Sequence, residues 1–437
     1  MAQEHNEQNK RRLDREARQK QRKAEQRKLR IKLLAAAAVL LVCGLVIFRL
    51  TQDMTASMPD MGGVEVMATE PTTVPATEPT SAVDRLVNTG QKVIHIKAAG
   101  DLTVTDKVVA SADTDLGYDY SGAFIDVAPL LADADLTMLN FEGNLIGAPY
   151  GTQTASAPQE LMTALADAGV DIVQMANSYS IYNGMIGLAT TLNNIRAAGI
   201  EPVGAFSTNA EFKDAKGYTI CNVQGVKVAV VAFTKGMGGL GLPAGSENCV
   251  NVLYTDYATT YREINKEGIT SILKNVATEE PDITIALLHW GSEYNDTISD
   301  TQHSIVELMK KNGVDAIIGT HAHRVQKLEY DNATGFFVAY SLGDFFGDGV
   351  KDGTKYSILL DLEITKDYDT GVTRVTDYGY TPLYILNETE GKNGRQVVRI
   401  METSTAYDVN FVDKVTSSAY NGMQNSLNRI NARVEGK

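Results

Sequence analysis

Residues 282–325 read DITIALLHWGSEYNDTISDTQHSIVELMKKNGVDAIIGTHAHRV, and this stretch decides the fold prediction. Two apolar runs, Ile283–Leu288 and Ala316–Ile318, flank a segment with helical apolar spacing. Parallel strands need a crossover of about this length, so the stretch is predicted to form a strand, a helix and a second, parallel strand. The sequence therefore indicates an α/β fold.

Three histidines follow these two runs directly: His289 after the first, and His321 and His323 after the second. The carboxyl ends of the strands are the edge at which open α/β sheets bind their ligands. The chain has only six histidines in 437 residues. We therefore expect these three imidazoles to converge on one site.

Three oxygen-bearing side chains end other apolar runs. Asp101 follows the run that begins at Lys92, Glu142 closes the run Leu136–Glu142, and Asn177 follows a third run. Each of them alone is also typical of an ordinary turn. Together with the histidines they form the mixed N/O ligand set of Mn, Zn or Fe, and six such groups suffice for two ions if one carboxylate bridges. A divalent metal site is therefore predicted.

Charge is distributed unevenly along the chain. Residues 1–32 carry twelve basic and five acidic residues, whereas residues 50–437 carry 27 basic and 49 acidic residues. Nucleic-acid binding needs a basic surface, so the acidic body excludes nucleic acid as a main partner. The length allows one large domain or two ordinary ones.

The amino-terminal part predicts a membrane anchor. Residues 33–49, uncharged up to Arg49, follow the basic segment 1–32, and flanking Lys and Arg side chains extend the effective length of such a span. The positive-inside rule then places the amino terminus in the cytoplasm and the rest outside, in the cell envelope. A cleaved signal peptide is the alternative, although its basic region is normally much shorter.

Residues 50–90 are rich in Thr, Pro, Ala and Glu, which predicts an extended linker. The folded domain is then expected at residues 91–437. On this topology Cys221 and Cys249 face an oxidising compartment, where they either form a disulfide or remain buried thiols.

Further elements are predicted between and after these runs. Helices are expected at Pro158–Ala168, Met185–Ala198, Tyr254–Val276 and Asp408–Val434, a hairpin at Tyr218–Thr234, and a buried strand at Phe336–Phe346 that breaks at Gly343-Asp344. Gly236–Pro243 lacks the lysine and the helix of a phosphate-binding loop and is interpreted as a loop over the site. The strand and helix pattern predicts a central sheet with outer helices and a β-rich carboxyl-terminal third.

The order of the motifs resembles the CapA family of bacterial capsule synthesis proteins, which is implicated in poly-gamma-glutamate synthesis and export and is related to calcineurin-like metallophosphatases. The resemblance covers Lys92–Ile385 and rests on Gly100-Asp101, Asn140–Glu142, Ala176-Asn177 followed by Gly184, His289–Tyr294, Gly319–His323 and Tyr340–Phe345. It implies a layered α/β/β/α sandwich with a two-metal site.

The resemblance also implies a role for each ligand. Glu142 would bridge the two ions, Asp101 and His323 would bind one ion, and Asn177, His289 and His321 would bind the other.

Three positions depart from the family pattern. Where the family usually has a histidine and an aspartate after the asparagine, this chain has Tyr179 and Tyr182, and Asp344 replaces a usual asparagine. The histidine protonates the leaving oxygen in related phosphatases, and a tyrosine with an ordinary pKa near 10 is a poor substitute at neutral pH. We therefore assign Tyr179 and Asp344 to the catalytic positions and expect metal binding to be retained more fully than catalysis.

These observations support several functions. The chain is expected to act in capsule or poly-gamma-glutamate synthesis or export, with the polymer and membrane synthase subunits as partners. Alternatives are a metal-dependent hydrolase of an envelope phosphoester and a catalytically impaired scaffold that binds the polymer.

Overall fold

The computed structural model describes residues 90–391, 394–400 and 414–436. The predicted basic segment 1–32, membrane helix 33–49 and most of the linker 50–90 lie outside the described residues, and their assignment stays a prediction. Within the described part, no helix has the length and apolar character that crossing a membrane requires. Residues Thr89–Lys437 form one compact unit.

The described residues form sixteen strands and eight helices. The strands are β1 (Gln91–Thr103), β2 (Asp113–Thr114), β3 (Gly117–Tyr118), β4 (Leu136–Glu142), β5 (Ile172–Gln174), β6 (Glu201–Val203), β7 (Tyr218–Val223), β8 (Val226–Thr234), β9 (Ile283–His289), β10 (Ala316–Thr320), β11 (Leu328–Asp331), β12 (Phe336–Ala339), β13 (Asp344–Phe346), β14 (Tyr356–Asp367), β15 (Val372–Leu386) and β16 (Gln396–Arg399). The helices are α1 (Asp106–Ala110), α2 (Ala128–Ala132), α3 (Gln159–Ala168), α4 (Gly184–Ala197), α5 (Asn209–Ala215), α6 (Lys266–Ala277), α7 (Asp300–Lys311) and α8 (Ser417–Val434).

Two sheets organise the domain. The first has the order β16-β15-β14-β1-β4-β5-β6, with β13 also paired to β1, and the second has the order β11-β12-β10-β9-β8-β7. Strands β1, β4, β5 and β6 are parallel, as are β8, β9, β10 and β12. The predicted unit at residues 282–325 is confirmed, because β9 and β10 pair in parallel on either side of α7.

Alternating side chains of the second sheet face different parts of the core. Val228 and Val230 of β8 belong to the cluster that also contains the apolar residues of the first sheet. Ala229 and Val231 belong to a second cluster, formed with helices α6 and α7. This alternation follows from the two-residue period of a strand. The strand pattern predicted one central sheet, and the structure corrects this to two sheets that share a core.

Half-buried aspartates fix the register at the amino-terminal edges of both sheets. Each aspartate precedes a strand, and its carboxylate accepts a hydrogen bond of 2.7–2.9 Å from a backbone N–H of the neighbouring parallel strand. Its own backbone N–H donates to the carbonyl of that same partner residue. The pairs are Asp135 with His95, Asp171 with Thr137, Asp282 with Lys227 and Asp315 with Thr284. These contacts tie one edge together and leave the carboxyl ends of the strands available for a site.

Several predicted elements are confirmed and two are wrong. The hairpin, the helices near residues 158–168 and 185–198, and the loop at Gly236–Pro243 occur as expected. The strand predicted at Phe336–Phe346 with a break at Gly343-Asp344 ends earlier than predicted, because the chain leaves β12 in the second sheet at Ala339. It enters β13 in the first sheet at Asp344, where the break was predicted. The helix predicted from Tyr254 begins only at α6, where the Asn265 side chain accepts the N–H of Gly268 and caps it.

The structure also bears on the predicted closing helix and on the predicted disulfide. The closing helix predicted at Asp408–Val434 is α8, which begins at Ser417 after the Thr416 cap, and residues 401–413 of the prediction lie outside the described residues. No disulfide joins Cys221 and Cys249 in the described part of the chain, and Cys249 is buried.

Candidate metal centre

The carboxyl ends of the parallel strands of both sheets meet at one buried cluster. Asp101 lies on β1, Glu142 ends β4 and Asn177 follows β5, while His289 ends β9, His321 and His323 follow β10, and Asp344 begins β13. All seven residues are buried, with at most 5% of the surface of each residue exposed. The structure thus brings together all six predicted ligands and Asp344.

Asn140 joins the two carboxylates of the first sheet. Its Nδ2 donates to Asp101 Oδ1 at 2.7 Å and to Glu142 Oε1 at 3.1 Å. Asn140 and Glu142 are two residues apart on β4 and therefore face the same side. Asn140 was not predicted as a site residue, although its two-residue spacing from Glu142 is a signal that identifies it.

His289 is held between the two sheets. Its Nε2 lies 2.7 Å from Glu142 Oε1, and its Nδ1 lies 3.2 Å from the hydroxyl of Thr234 at the end of β8. Both ring nitrogens therefore have a partner, and Glu142 is the carboxylate that His289 faces.

His321 has a ring nitrogen with no partner. Its backbone N–H donates to both carboxylate oxygens of Asp101, at 3.2 and 3.1 Å, and its φ of +88° turns the chain sharply at the end of β10. Its Nδ1 is buried and has no hydrogen-bond partner among the described residues. The ring centroid lies 4.3 Å from that of His289. An unpaired buried nitrogen is costly unless something occupies it, and a metal ion is a suitable occupant.

His323 bridges the carboxylates on the other side. Its Nδ1 lies 2.7 Å from Asp344 Oδ1 and 3.7 Å from Asp101 Oδ2, and its Nε2 lies 3.7 Å from Glu142 Oε2. Tyr294 stacks on the ring with centroids 5.2 Å apart. This contact fixes the plane of the imidazole.

The side chain of Asn177 makes hydrogen bonds to neighbouring residues. Its Nδ2 donates to Asn140 Oδ1 at 3.1 Å and to the Phe141 carbonyl at 2.7 Å, and its Oδ1 accepts the N–H of Tyr179 at 2.9 Å. The side chain therefore orients Asn140 and the Tyr179 turn. Its predicted role as a metal ligand stays a prediction.

The buried carboxylates have raised pKa values. Burial raises the pKa of Asp101 to about 6, and the nearby Glu142 adds to the effect. Burial likewise raises the pKa of Glu142 and raises that of Asp344 to about 7. Because a bound cation favours the charged form of a carboxylate, it would relieve this cost.

The three imidazoles differ in protonation. Burial lowers the pKa of His289 to about 3, and burial together with His289 lowers the pKa of His321 well below its usual value. Burial alone would lower the pKa of His323, but Asp344 and Glu142 raise it well above its usual value. His289 and His321 are thus neutral at pH 7, which is the form that binds a metal.

Among the described residues, three groups of side chains place their ligand atoms within 4.8 Å of one another: Glu142 with His289 and His321, Asp101 with His323 and Asp344, and Glu293 with His321 and His323. The first two groups share the charges and donor types that a pair of divalent ions requires. Asp344, predicted at a catalytic position, is thus placed among the candidate ligands. Glu293 was part of a quoted motif but had not been assigned.

Tyr179 lies beside the cluster, half-buried, with its ring centroid 5.6 Å from that of Tyr182. Burial raises the pKa of its phenol to about 12, and Glu142 and Glu293 add to the effect. The phenol therefore keeps its proton at neutral pH and is a weaker acid than an ordinary tyrosine.

A pocket of about 280 Å³ opens beside His321. Its wall includes Lys235, Glu293 and Ser178, together with Gly236 and Gly238 of the glycine-rich loop. The loop therefore borders the site, as the sequence analysis expected, and Lys235 was missed. Its signal is a lysine placed directly after the apolar run of β8.

The fold and the site define a mixed α/β protein with a buried cluster of carboxylates and imidazoles at the carboxyl edges of two sheets. The family model described as bacterial capsule synthesis protein PGA_cap matches residues 95–348, which is more than half of the chain. The chain belongs to this family, and the resemblance stated from the motifs is confirmed.

Two curated relatives carry related names. The capsule biosynthesis protein CapA of Bacillus anthracis is 29% identical over 266 residues, covering 59% of this chain and 61% of the relative. The PGA biosynthesis protein CapA of Bacillus subtilis (strain 168) is 26% identical over 295 residues, covering 65% of this chain and 71% of the relative. The chain thus spans less than two thirds of the first of these relatives.

Solved structures similar to this chain include two at low identity. The calcineurin-like phosphoesterase YfkN from Bacillus subtilis is 18% identical with a TM-score of 0.39, covering 67% of this chain and 90% of that one. A putative 5'-nucleotidase from Staphylococcus aureus is 13% identical with a TM-score of 0.44, covering 77% of this chain and 58% of that one.

Proposed function

We propose that this chain is a membrane-anchored CapA-like protein that acts outside the cytoplasm in capsule or poly-gamma-glutamate biosynthesis and export, through a site for two divalent metal ions. Membership of the capsule synthesis family supports the pathway. The apolar residues 33–49 behind a basic segment support the anchor and its orientation. A layered α/β/β/α sandwich of the metallophosphatase type is the scaffold that we propose for the site.

One observation carries the metal part of the proposal. The buried Nδ1 of His321 has no hydrogen-bond partner among the described residues. It lies in a cluster whose carboxyl groups have pKa values raised by burial. Imidazole nitrogen and carboxylate oxygen fit Mn, Zn or Fe. Glu142, His289 and His321 would hold one ion, with Asn177 as the predicted further ligand.

Asp101, His323 and Asp344 would hold the second ion, with Glu142 shared between both. When bound, such ions act as Lewis acids toward a phosphoryl or carbonyl group. The chain's own contribution is to fix the ligands: Asn140 holds two carboxylates, Thr234 orients His289, and Tyr294 stacks on His323.

Tyr179 at the proton-donor position favours binding of a polymer over efficient hydrolysis. A general acid works best with a pKa near the operating pH. The phenol of Tyr179, with its pKa near 12, is far from that range. The site is therefore better suited to holding or guiding an anionic polymer than to protonating a leaving group.

Complementation tests the proposed pathway role. A strain that lacks the gene would receive the wild-type chain, His321→Ala or His303→Ala, with protein amounts checked by immunoblot. His303 lies on the exposed face of α7 and is the matched control. We expect capsule polymer to return with wild type and His303→Ala but not with His321→Ala. Undiminished polymer in the deletion strain would contradict the proposal.

A metal-dependent phosphoester hydrolase is the second candidate, favoured by the pocket beside His321 with a lysine on its wall. Hydrolysis of p-nitrophenyl phosphate and bis(p-nitrophenyl) phosphate by the purified full chain, with and without added Mn or Zn, tests it. Turnover that requires metal and is lost in His321→Ala would support this function. Turnover that survives in His321→Ala would show that another site or a contaminant is responsible.

A further inference from the structure

The pocket beside the metal centre has a cation whose purpose the metal ligands do not explain. Lys235 lines the same 280 Å³ pocket as His321, together with Ser178, Tyr261 and Glu293. In the described part of the chain, its ammonium group donates one hydrogen bond, to the Gly291 carbonyl at 2.6 Å, and lies 4.8 Å from the centroid of the Tyr261 ring. A lysine ammonium has three N–H donors. Two donors thus remain for a ligand.

The backbone of Lys235 is fixed by its neighbours on both sides. Its N–H donates to the carbonyl of His289, which ties it to the metal centre. The Thr234 hydroxyl contacts the Gly236 carbonyl at 2.9 Å and the Gly236 N–H at 3.2 Å, closing a tight turn around the lysine. The cation is therefore pre-organised, so less conformational entropy is lost when it binds a ligand.

Gly236 allows another segment to cover this turn. A Cβ atom at Gly236 would lie 2.3 Å from the Tyr257 carbonyl oxygen and 2.6 Å from the Tyr261 ring. Glycine thus permits the Tyr261 side chain to approach the lysine. The ring lies beside the half-buried ammonium, and a charge-assisted hydrogen bond made in a partly buried place is stronger than one in bulk solvent.

The acidic surroundings make this lysine selective. Residues 50–437 carry 49 acidic and 27 basic residues, so an anionic ligand is repelled at long range until screening reduces the effect. Glu293 is the acidic residue of the pocket wall. It also belongs to a candidate ligand group with His321 and His323, so its negative charge would face a bound metal ion. Lys235 is then the local positive charge for the ligand.

We propose that Lys235 is a specificity-determining residue that binds a carboxylate or phosphate oxygen of the ligand in the pocket next to His321. This proposal rests on the proposed function, because it names the chemical group that the same site receives. The carboxylate source is a γ-linked glutamate chain, and the phosphate source is a phosphoester or free phosphate.

Isothermal titration of the full chain in detergent tests the proposal with two probes, a γ-linked glutamate trimer and inorganic phosphate. Wild type, Lys235→Gln, Lys235→Arg and Lys274→Gln would be compared, both metal-loaded and after chelation, with metal content and unfolding temperature measured on each sample. Lys274 lies exposed on α6 and does not line the pocket, so Lys274→Gln is the matched charge control.

We expect Lys235→Gln to bind a probe roughly 10- to 100-fold more weakly than wild type, the loss of one charge-assisted hydrogen bond. Lys274→Gln should bind as wild type does, and Lys235→Arg should retain more affinity than Lys235→Gln. A loss for the glutamate trimer alone supports the carboxylate, and a loss for phosphate alone supports the phosphate.

Equal affinity of Lys235→Gln and wild type, an equal loss in Lys274→Gln, or no binding of either probe to wild type would overturn the proposal. If Lys235→Gln unfolds at a lower temperature than wild type, the comparison between Lys235→Arg and wild type decides. Metal content tests the proposed function separately. If the chain binds no metal but still binds a probe through Lys235, the proposed function fails while the role of Lys235 stands.

Discussion

Gly100→Ala is expected to damage both the fold and the metal centre. Gly100 precedes Asp101 on β1, and the Asp101 N–H donates to the Gly343 carbonyl at 2.9 Å. A Cβ atom at Gly100 would lie 1.8 Å from that same carbonyl oxygen, whereas such contacts in proteins essentially never fall below 3.0 Å. The two backbones must therefore separate by about 1.2 Å, the difference between these two distances. Asp344 follows Gly343, so the separation displaces both carboxylates that face His323 Nδ1.

The expected cost of Gly100→Ala can be given as a free energy. Overpacking of this kind costs about 1–3 kcal/mol, and a weakened backbone hydrogen bond adds about 1 kcal/mol. For a domain of this size the unfolding temperature is then expected to fall by roughly 3–5 °C. Displaced ligands are also expected to weaken metal binding about 10- to 100-fold.

Gly379→Ala provides the matched control. Gly379 lies on β15, its φ is not positive, and no atom lies within 4 Å of a Cβ built there. Differential scanning fluorimetry and a metal titration of both variants would measure the effect. We expect Gly379→Ala to match wild type. The account of the β1 and β13 contact is refuted if Gly100→Ala unfolds no earlier and binds metal no more weakly than Gly379→Ala.

Two further predictions concern a half-buried acid, Asp315, and the proton-donor position. Asp315 accepts the Thr284 N–H at 2.8 Å, and burial raises its pKa to about 6 from an ordinary 3.8. Between these values the folded state binds more protons than the unfolded state, so this group's contribution to stability falls as pH rises through that window. Asp315→Asn keeps the acceptor without the charge and should raise the unfolding temperature at pH 7 by more than at pH 4; an equal or opposite shift in thermal scans would contradict this. Tyr179→His restores the imidazole of the family pattern, and if the missing acid limits hydrolysis, it should raise metal-dependent turnover of p-nitrophenyl phosphate about 10²- to 10⁴-fold. Turnover equal to that of wild type would show that the missing acid is not what limits the reaction.

The sequence predicted the site better than the sheet arrangement. His289, His321 and Glu142 follow or end apolar runs, and the carboxyl ends of parallel strands meet at one edge, so their convergence follows from local pattern alone. The pairing of β1 with β13 joins Asp101 to Asp344, which are more than 200 positions apart. No periodicity encodes that contact, and Phe336–Phe346 was therefore predicted as a strand broken at Gly343-Asp344 rather than as two strands in different sheets.

Residues that support the ligands were harder to predict. Asn140 shares a strand face with Glu142, and its two-residue spacing could have identified it. The role of Lys235 depends on a turn closed by Thr234 and covered by Tyr261, and those contacts are long-range. The aspartates before the strands, such as Asp135, have an ordinary turn sequence and acquire their role only from the neighbouring strand.

Metal content tests the central claim most directly. The full chain would be purified in detergent, incubated with Mn, Zn or Fe, desalted, and measured by inductively coupled plasma mass spectrometry beside His321→Ala and His303→Ala. The account predicts up to two ions per chain in wild type and in His303→Ala, and fewer in His321→Ala, because the buried Nδ1 of His321 is then lost. A wild-type chain that retains none of these ions, or a His321→Ala chain that retains as many as wild type, would contradict the account.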